Sequence, residues 1–247
     1  MYDRQLFPAK SVVLGTVHSG SLASMKRLTV IFLFIASICS TTLCAQDVVN
    51  EETQIGNSKF SFGINGGYSQ RVFRAGRIVT REQERYIKDF KSGISFGGGV
   101  TYFPWKKVGF GLKYDRYQSK ASQDNELTED VNIQFMGGEI IHRTFLKNPK
   151  NSVLTSLLLG YQPYQNKTEA QATQFTFDGK TMGWGVSVGI EHRITQHFAF
   201  NVTGSAMMGA VYRLDRTSDF NKETLYLSKD SNVDLSRVSL TLGFKFY

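Results

Sequence analysis

Apolar residues alternate with small or polar residues in repeated short runs along most of this chain. In the closing run, Leu240, Leu242 and Phe244 alternate with Thr241 and Gly243. A period of two indicates a β-strand whose two faces meet different environments. Seven further runs follow the same pattern, which predicts eight strands at residues 60–68, 94–102, 108–115, 131–144, 153–161, 182–190, 198–208 and 237–247.

The connections between these runs alternate between short and long. Those after the second, fourth and sixth runs are short, whereas roughly residues 72–91, 118–130, 165–180 and 213–232 are long and charged. Up-and-down barrels collect short turns at one end and long loops at the other. We therefore predict an all-β fold: an eight-stranded antiparallel up-and-down transmembrane β-barrel with short periplasmic turns and long extracellular loops. The soluble alternative, a lipocalin-like cup, would turn its apolar face inward.

The start of the chain predicts export. Lys26 and Arg27 precede an apolar run at residues 28–38, followed by small and polar residues up to Ala45, the pattern of a secretory signal peptide. We expect cleavage after Ala45. An uncleaved anchor helix and a lipoprotein anchored through Cys44 remain alternatives, although Leu43 is not the small residue that a lipoprotein needs before its cysteine. The predicted organisation is a translation start assigned too early (1–24), a signal peptide (25–45), a short periplasmic segment (46–57) and the barrel (58–247).

Cleavage changes the composition of the exported chain. It removes both cysteines, Cys39 and Cys44, so disulfides do not hold the protein together. The remaining 202 residues carry 25 Lys and Arg against 20 Asp and Glu, a net charge of +5. This mild excess, without a basic block beside stacking aromatics, predicts no nucleic-acid partner. Beyond the signal peptide no run of about 18 apolar residues exists, which excludes a transmembrane helix.

Two of the runs change phase. The positions set by Ile133 lose their alternation at residues 137–138, and Phe177 is out of phase with Met182 across residues 178–179. We interpret the first break as a β-bulge and the second as a turn or bulge, because an extra residue moves later side chains to the opposite face.

A signal peptide ending in "CAQ", eight alternating runs and an aromatic terminal strand together resemble the outer-membrane β-barrel domain family of Gram-negative bacteria, porin-like in name. The resemblance covers residues 58–247 and implies outer-membrane lipids and lipopolysaccharide as surroundings. It also implies that the C-terminal strand, with Phe246 on its apolar face and Tyr247 one residue out of phase, is read by the barrel-assembly machinery. No cofactor, metal site or catalytic motif accompanies the resemblance, and it identifies no extracellular ligand.

Charged side chains on the inward face predict a closed lumen. Lys113 and Glu139 lie at similar depth on adjacent strands, provided that the bulge at residues 137–138 turns Glu139 inward. We expect the pair to belong to a polar network that excludes solutes. The other predicted members of this lumen ion network are Asp115, Glu191, Arg193 and Lys245.

The first long connection predicts a contact with lipopolysaccharide. Arginines recur in it every three or four residues, and Thr80 with Gln83 would cap a short helix. Arg forks match phosphate geometry, so we assign the contact to Arg74, Arg77 and Arg81. The alternative is a solvated loop whose charge is balanced by Glu82, Glu84 and Asp89.

Three classes of function follow from this sequence. The leading one is a structural, adhesive or surface-interaction barrel acting through its extracellular loops; a narrow pore for small solutes and a lipid-modifying enzyme are the alternatives. Small lipid A deacylases resemble this chain in size and use a His and a Ser at the outer side. Here His142, His192 and His197 fall at periplasmic ends, and Ser187 of "GVSVG" sits within a strand rather than a nucleophile elbow. We predict that the protein is not an enzyme.

Overall fold

The computed structural model describes residues 58–73, 80–123, 127–148, 150–170, 173–218, 221–229 and 231–247. The predicted signal peptide and its cleavage site lie outside the described residues. In chain order the elements are β1 (Phe60–Arg71), α1 (Arg81–Lys91), β2 (Ser92–Tyr102), β3 (Val108–Gln123), β4 (Leu127–Phe145), β5 (Asn151–Ala170), β6 (Thr173–Arg193), β7 (Phe198–Met208), β8 (Ala210–Val211), β9 (Arg213–Ser218), β10 (Lys222–Tyr226), β11 (Val233–Asp234) and β12 (Arg237–Phe246).

Eight strands close into an antiparallel barrel. Strands β1 to β7 pair in chain order, β12 pairs with β7, and β12 also pairs with β1, which completes the circle. The predicted fold class is confirmed. The connections after β2, β4 and β6 lie at one end, the short-turn end, and the remaining connections lie at the other. Within the described residues no helix is both long and apolar enough to cross a bilayer.

The barrel wall nearest the short-turn end is apolar outside and polar inside. Leu112 is 72% exposed and Ile94 is 66% exposed on the outward face, whereas Ser69 and Ser95 on the inward face are fully buried. On β5 the outward apolar residues end at Tyr161, and on the other strands they end at a similar height. This part, the band half, has the polarity that a lipid-facing barrel requires and excludes the lipocalin-like cup.

Beyond the band half the wall continues as long hairpins, which form the hairpin half. Strands β3 and β4 remain paired as far as Gln123 and Leu127, and β5 and β6 as far as Ala170 and Thr173. Strands β9 and β10 form a third hairpin. The prediction of long loops was therefore wrong for these three connections. Most of their charged side chains face outward, where water solvates them, although Glu129 is buried. The backbone groups remain hydrogen-bonded within the strand ladder.

The first long connection contains α1. The Thr80 hydroxyl accepts a hydrogen bond from the backbone N–H of Gln83, and the Gln83 side chain reaches back to the backbone N–H of Thr80. This capping box satisfies two N–H groups that a helix start would leave unpaired. The predicted cap is confirmed.

The two phase changes are not bulges. Pairing of β3 with β4 runs without interruption past residues 137–138, and pairing of β5 with β6 runs past residues 178–179. Our interpretation of both breaks was wrong. Ile133 is fully buried and Phe177 is 6% exposed because both face an interior that has become apolar. The environment changes there, and the strand does not.

Glycine at position 137 has a steric reason instead. Gly137 faces Gly160 across β4 and β5, and a Cβ on Gly137 would lie 2.6 Å from the Gly160 Cα and 2.8 Å from the Phe135 ring. The Phe135 ring therefore occupies space that any larger residue at position 137 would fill.

Candidate functional site

An ionic cluster lies inside the barrel near the short-turn end. Lys245 Nζ lies 3.2 Å from a carboxylate oxygen of Glu191, and both side chains are buried. Ser152 donates a hydrogen bond of 3.3 Å to the same carboxylate. The Arg193 guanidinium lies 4.2 Å from the centre of the Tyr247 ring. The side chain of Tyr247 therefore points inward, whereas Phe246 faces outward and is 45% exposed.

Arg143 completes this cluster from β4. Its guanidinium stacks on the Phe103 ring at 3.8 Å and approaches the Tyr247 ring at 5.9 Å. Arg143 was not among the predicted lumen residues. Its inward position could have been found from its spacing of four from Glu139 on one strand, since residues an even number apart share a face.

A second ion pair lies deeper in the barrel. Arg237 Nη2 contacts a carboxylate oxygen of Asp115 at 2.8 Å, and the Arg237 side chain is completely buried. Arg71 faces Arg237 across β1 and β12 and donates to the backbone oxygen of Asp234 at 2.8 Å. The sequence pointed to Asp115 but not to Arg237 as its partner.

The predicted Lys113–Glu139 ion pair does not form. No ion pair within 4.0 Å joins these two residues in the part of the chain that the structure describes. Both face the lumen and help to line a cavity of about 80 Å³. The physical reason is that Glu139 sits opposite Gly111 and lies against it: a Cβ on Gly111 would come within 2.7 Å of Glu139 Oε1.

Most buried side chains in the interior of the hairpin half are apolar, and Glu129, Asn166 and Thr168 form a buried polar group among them. Eight buried side chains pack there into one cluster, the hairpin core. Phe90 of α1 and Leu225 of β10 are partly buried and pack against it. The hairpin core consists of Tyr117, Val131, Ile133, Tyr164, Val211, Leu214, Val233 and Leu235.

Helix α1 forms a roof over this core. The Tyr86 hydroxyl donates a hydrogen bond to the buried carboxylate of Glu129 on β4. Burial, reinforced by the negative charge of Glu129, raises the pKa of the Tyr86 phenol well above its ordinary value. The hydroxyl of Tyr117 donates to the backbone oxygen of Lys91 at 2.9 Å. The roof is therefore attached at both ends of its buried face.

Arg71 also holds the roof. Its guanidinium lies 4.6 Å from the ring centre of Phe73 and 5.0 Å from that of Phe90. This arginine is 3% exposed and points into the barrel.

The exposed surface of α1 carries both signs of charge, because Glu82, Glu84 and Asp89 are exposed as well as the cations, and its outward side has a basic excess. Arg81, Arg85 and Lys88 are all exposed and lie at helical spacings of four and three, on the side opposite Tyr86 and Phe90. Of the residues predicted to contact lipopolysaccharide, Arg81 is therefore at the surface. Arg74 and Arg77 lie outside the described residues.

The structure brings together no recognisable catalytic group within the residues that it describes. His142, His192 and His197 are exposed at the short-turn end, and Ser187 is buried within β6, where its hydroxyl lies 2.6 Å from that of Ser156. Among the described residues no three His, Cys, Asp or Glu side chains converge as metal ligands.

The outer membrane protein beta-barrel domain family matches residues 35–246 of this sequence. The chain belongs to this family. It is accordingly an outer-membrane protein, in which the band half meets the lipid, the short-turn end faces the periplasm and the hairpin half is extracellular. No curated protein matches the chain significantly.

Several solved structures are similar to this chain in fold. A major outer membrane protein from Thermus thermophilus is 11% identical, with a TM-score of 0.54, and the match covers 77% of this chain and 99% of that one. Ail, the attachment invasion locus protein of Yersinia pestis, is 15% identical over 76% and 100% of the two chains, with a TM-score of 0.48. Neisserial surface protein A is 14% identical over 77% and 98%, with a TM-score of 0.47.

Proposed function

We propose that this protein is a non-conducting barrel that acts through its extracellular surface, and that it is neither a pore nor an enzyme. The observation that carries the proposal is the hairpin core beneath α1. A hydrated solute would have to displace buried side chains such as Tyr117 and Ile133. Each large apolar side chain contributes about 1.5–3 kcal/mol through burial, so opening this core is costly.

The test is planar-bilayer conductance of refolded residues 46–247. We expect no steady single-channel current, with a general porin inserted in the same membranes as the positive control. Heat-modifiable electrophoresis of the reconstituted sample must show a folded barrel, so that an absence of current is not the result of failed insertion. Steady open-channel current from the folded barrel would refute the closed interior and favour the narrow pore.

The basic outward face of α1 is the part of this surface that we propose to contact lipopolysaccharide. Arg81 lies on it, together with Arg85 and Lys88, and we assign Arg74 and Arg77 to the same contact. Replacing Arg74, Arg77 and Arg81 by Ser should reduce the lipopolysaccharide that co-purifies and raise outer-membrane permeability. If neither the co-purifying lipopolysaccharide nor the permeability changes, α1 is a solvated helix that does not contact lipopolysaccharide.

We further propose that the barrel-assembly machinery reads β12. Phe244 and Phe246 face outward on this strand, and Phe246 contacts Phe198 at a ring distance of 5.4 Å. Phe246→Ala should lower the amount of folded protein in the outer membrane, whereas Leu242→Ala on the same face should have a smaller effect. Equal yields for both variants would argue against an address at the end of the strand.

A further inference from the structure

A groove opens on the outer wall just above the lipid-facing band. It is about 510 Å³ in volume and lies on β4, β5, β6 and β9, on the outside of the barrel. The residues that matter for its chemistry are Gln134, Tyr161, Asp178, Lys180, Arg213 and Asp215.

The groove arises where the wall changes partner. Strand β6 pairs with β7 up to Trp184 and Met208, and then with β9 from Gly179 and Leu214. Five steps along β6 therefore correspond to six along the neighbouring chain. An extra residue of this kind bends the strand that carries it. Here it separates β9 from the line of β7 and leaves a recess.

The position of the groove fixes what it meets. Tyr161 and Met182 are paired across β5 and β6 and are the last exposed apolar side chains of the band on these strands. Pro163 and Lys180, two residues farther out, are the next outward pair. Two residues of a tilted strand rise by about 5 Å, so the groove lies at the level of the lipid headgroups.

The two carboxylates of the groove already have partners within the protein. Asp178 accepts a hydrogen bond from Gln165 at 2.9 Å, and Asp215 accepts one from Thr224 at 2.8 Å. Arg213 Nε lies 3.9 Å from a carboxylate oxygen of Asp215, and the guanidinium lies 5.7 Å from the centre of the Tyr226 ring. Its terminal guanidinium nitrogens keep donors for a ligand.

Lys180 is the second cation with donors to spare. It is exposed, and among the described residues it forms no ion pair within 4.0 Å. An ammonium and a guanidinium on one headgroup-level recess match a phosphate, because both give charge-assisted hydrogen bonds to its oxygens.

We propose that this groove binds the phosphorylated sugar headgroup of an outer-leaflet saccharolipid, namely lipopolysaccharide. Lys180 and Arg213 bind phosphate, while Asp178 and Gln134 offer hydrogen bonds to sugar hydroxyls. The acyl chains then lie on the apolar wall directly below, against Leu159 and Trp184. This continuity with the lipid-facing band favours a lipid over a soluble polyanion. The site is separate from α1 and does not depend on a closed lumen.

The test measures lipopolysaccharide bound to the barrel after extraction in mild detergent, by native mass spectrometry. We expect Lys180→Ser combined with Arg213→Ser to weaken binding at least about tenfold, because two charge-assisted contacts are lost. Lys167→Ser is the matched control: this lysine also faces outward on β5, beyond the groove, and should bind normally. The conservative pair Lys180→Arg and Arg213→Lys should retain most binding. Heat-modifiable mobility confirms folding of each variant.

Four results would overturn the proposal. The first is a double variant that folds and binds as the wild type does. The second is a loss at Lys167→Ser equal to that of the double variant, which would reflect general charge. The third is equal affinity for the deacylated phosphorylated oligosaccharide, which would mark a soluble polyanion site. The fourth is a loss of binding only in the Arg74, Arg77 and Arg81 variant, which would assign the contact to α1 and reject the groove.

Discussion

The band half and the hairpin half use the same strands with opposite polarity. On β4, Glu139 and Arg143 face inward within the band, whereas Val131 and Ile133 face inward beyond it. The outward face changes in the opposite sense, from Ile140 in the lipid to charged and amide side chains in water. A barrel wall does not prescribe which face is apolar. The medium outside determines the polarity of the outward face, which is apolar in lipid and polar in water. The inward face has the opposite polarity in each half.

The two interiors are therefore held by different interactions. The band half depends on ion pairs in a confined lumen, where a missing partner leaves a buried charge. The hairpin half depends on close packing of apolar side chains, where a missing side chain leaves a cavity. Substitutions that remove a charged partner in the band half or an apolar side chain in the hairpin half test this comparison directly.

The largest effect is expected for Glu191→Gln in the band half. It leaves Lys245 buried beside Arg143 and Arg193 without its carboxylate, and breaking one partner of a buried pair costs about 3–5 kcal/mol. The measurement is urea unfolding of the reconstituted barrel. The double variant Glu191→Leu with Lys245→Met should recover most of the loss, because a buried pair replaced by apolar groups is often neutral. A double variant as unstable as the single one would mean that the pair itself is not what matters.

The next effect belongs to the hairpin half. Ile133→Ala removes a fully buried side chain from the hairpin core and should lower the free energy of unfolding by about 3 kcal/mol. Ile140→Ala on the same strand faces lipid and should cost about 1 kcal/mol or less, because lipid tails fill the space as an apolar neighbour would. Similar costs at the two positions would contradict an apolar core in the hairpin half.

A charge on the outward face should separate the two halves again. Leu157 and Glu169 both face outward on β5, the first within the band and the second in the hairpin half. Leu157→Arg should cost about 2 kcal/mol, since an arginine then faces lipid near mid-membrane. Glu169→Arg should stay within about 0.5 kcal/mol, as surface changes usually do. The same unfolding assay compares them, and equal costs would place the lipid boundary elsewhere.

Much of the band half could be predicted from the sequence. A period of two reports that a strand has two different faces, and in the band those faces are lipid and lumen. The period does not say which face is inward, however. The phase set by Ile133 and Phe135 was therefore taken as the lipid-facing one. A bulge at residues 137–138, which the structure does not contain, was then needed to turn Glu139 inward. Reading the change of phase as a change of surroundings would have placed all three correctly.

The ion pairs could not be predicted because they depend on the closed barrel. Matching depth on adjacent strands favoured Lys113 with Glu139. Lys245 and Glu191 instead reach each other across β7, which lies between β12 and β6. The groove was missed for a similar reason: it exists because β6 exchanges β7 for β9 with a one-residue shift, and a single strand's pattern carries no information about its neighbour's register.

The smallest effect concerns how the roof is attached to the hairpin half. Tyr86→Phe removes the hydrogen bond to Glu129, which keeps Asn166 and Thr168 as donors, so docking of α1 should weaken by only about 1 kcal/mol near neutral pH. Hydrogen exchange of the α1 amides measures this docking free energy.

At high pH, α1 should be docked less tightly in the wild type than in the Tyr86→Phe variant, the reverse of the order near neutral pH. Burial first, and then the charge of Glu129, raise the pKa of Tyr86 in the docked state. The docked phenol stays neutral while the undocked one ionises above its ordinary value of about 10. The contribution of Tyr86 to the docking free energy of α1 is therefore complete below a pH of about 10. Above that pH it falls by about 1.4 kcal/mol per pH unit. Wild-type α1 should be docked more tightly than the variant at pH of about 8 and less tightly at pH of about 11, on either side of that ordinary value. Because other buried tyrosines act on both proteins alike, a difference that stays constant with pH would show that Tyr86 is not the group that titrates.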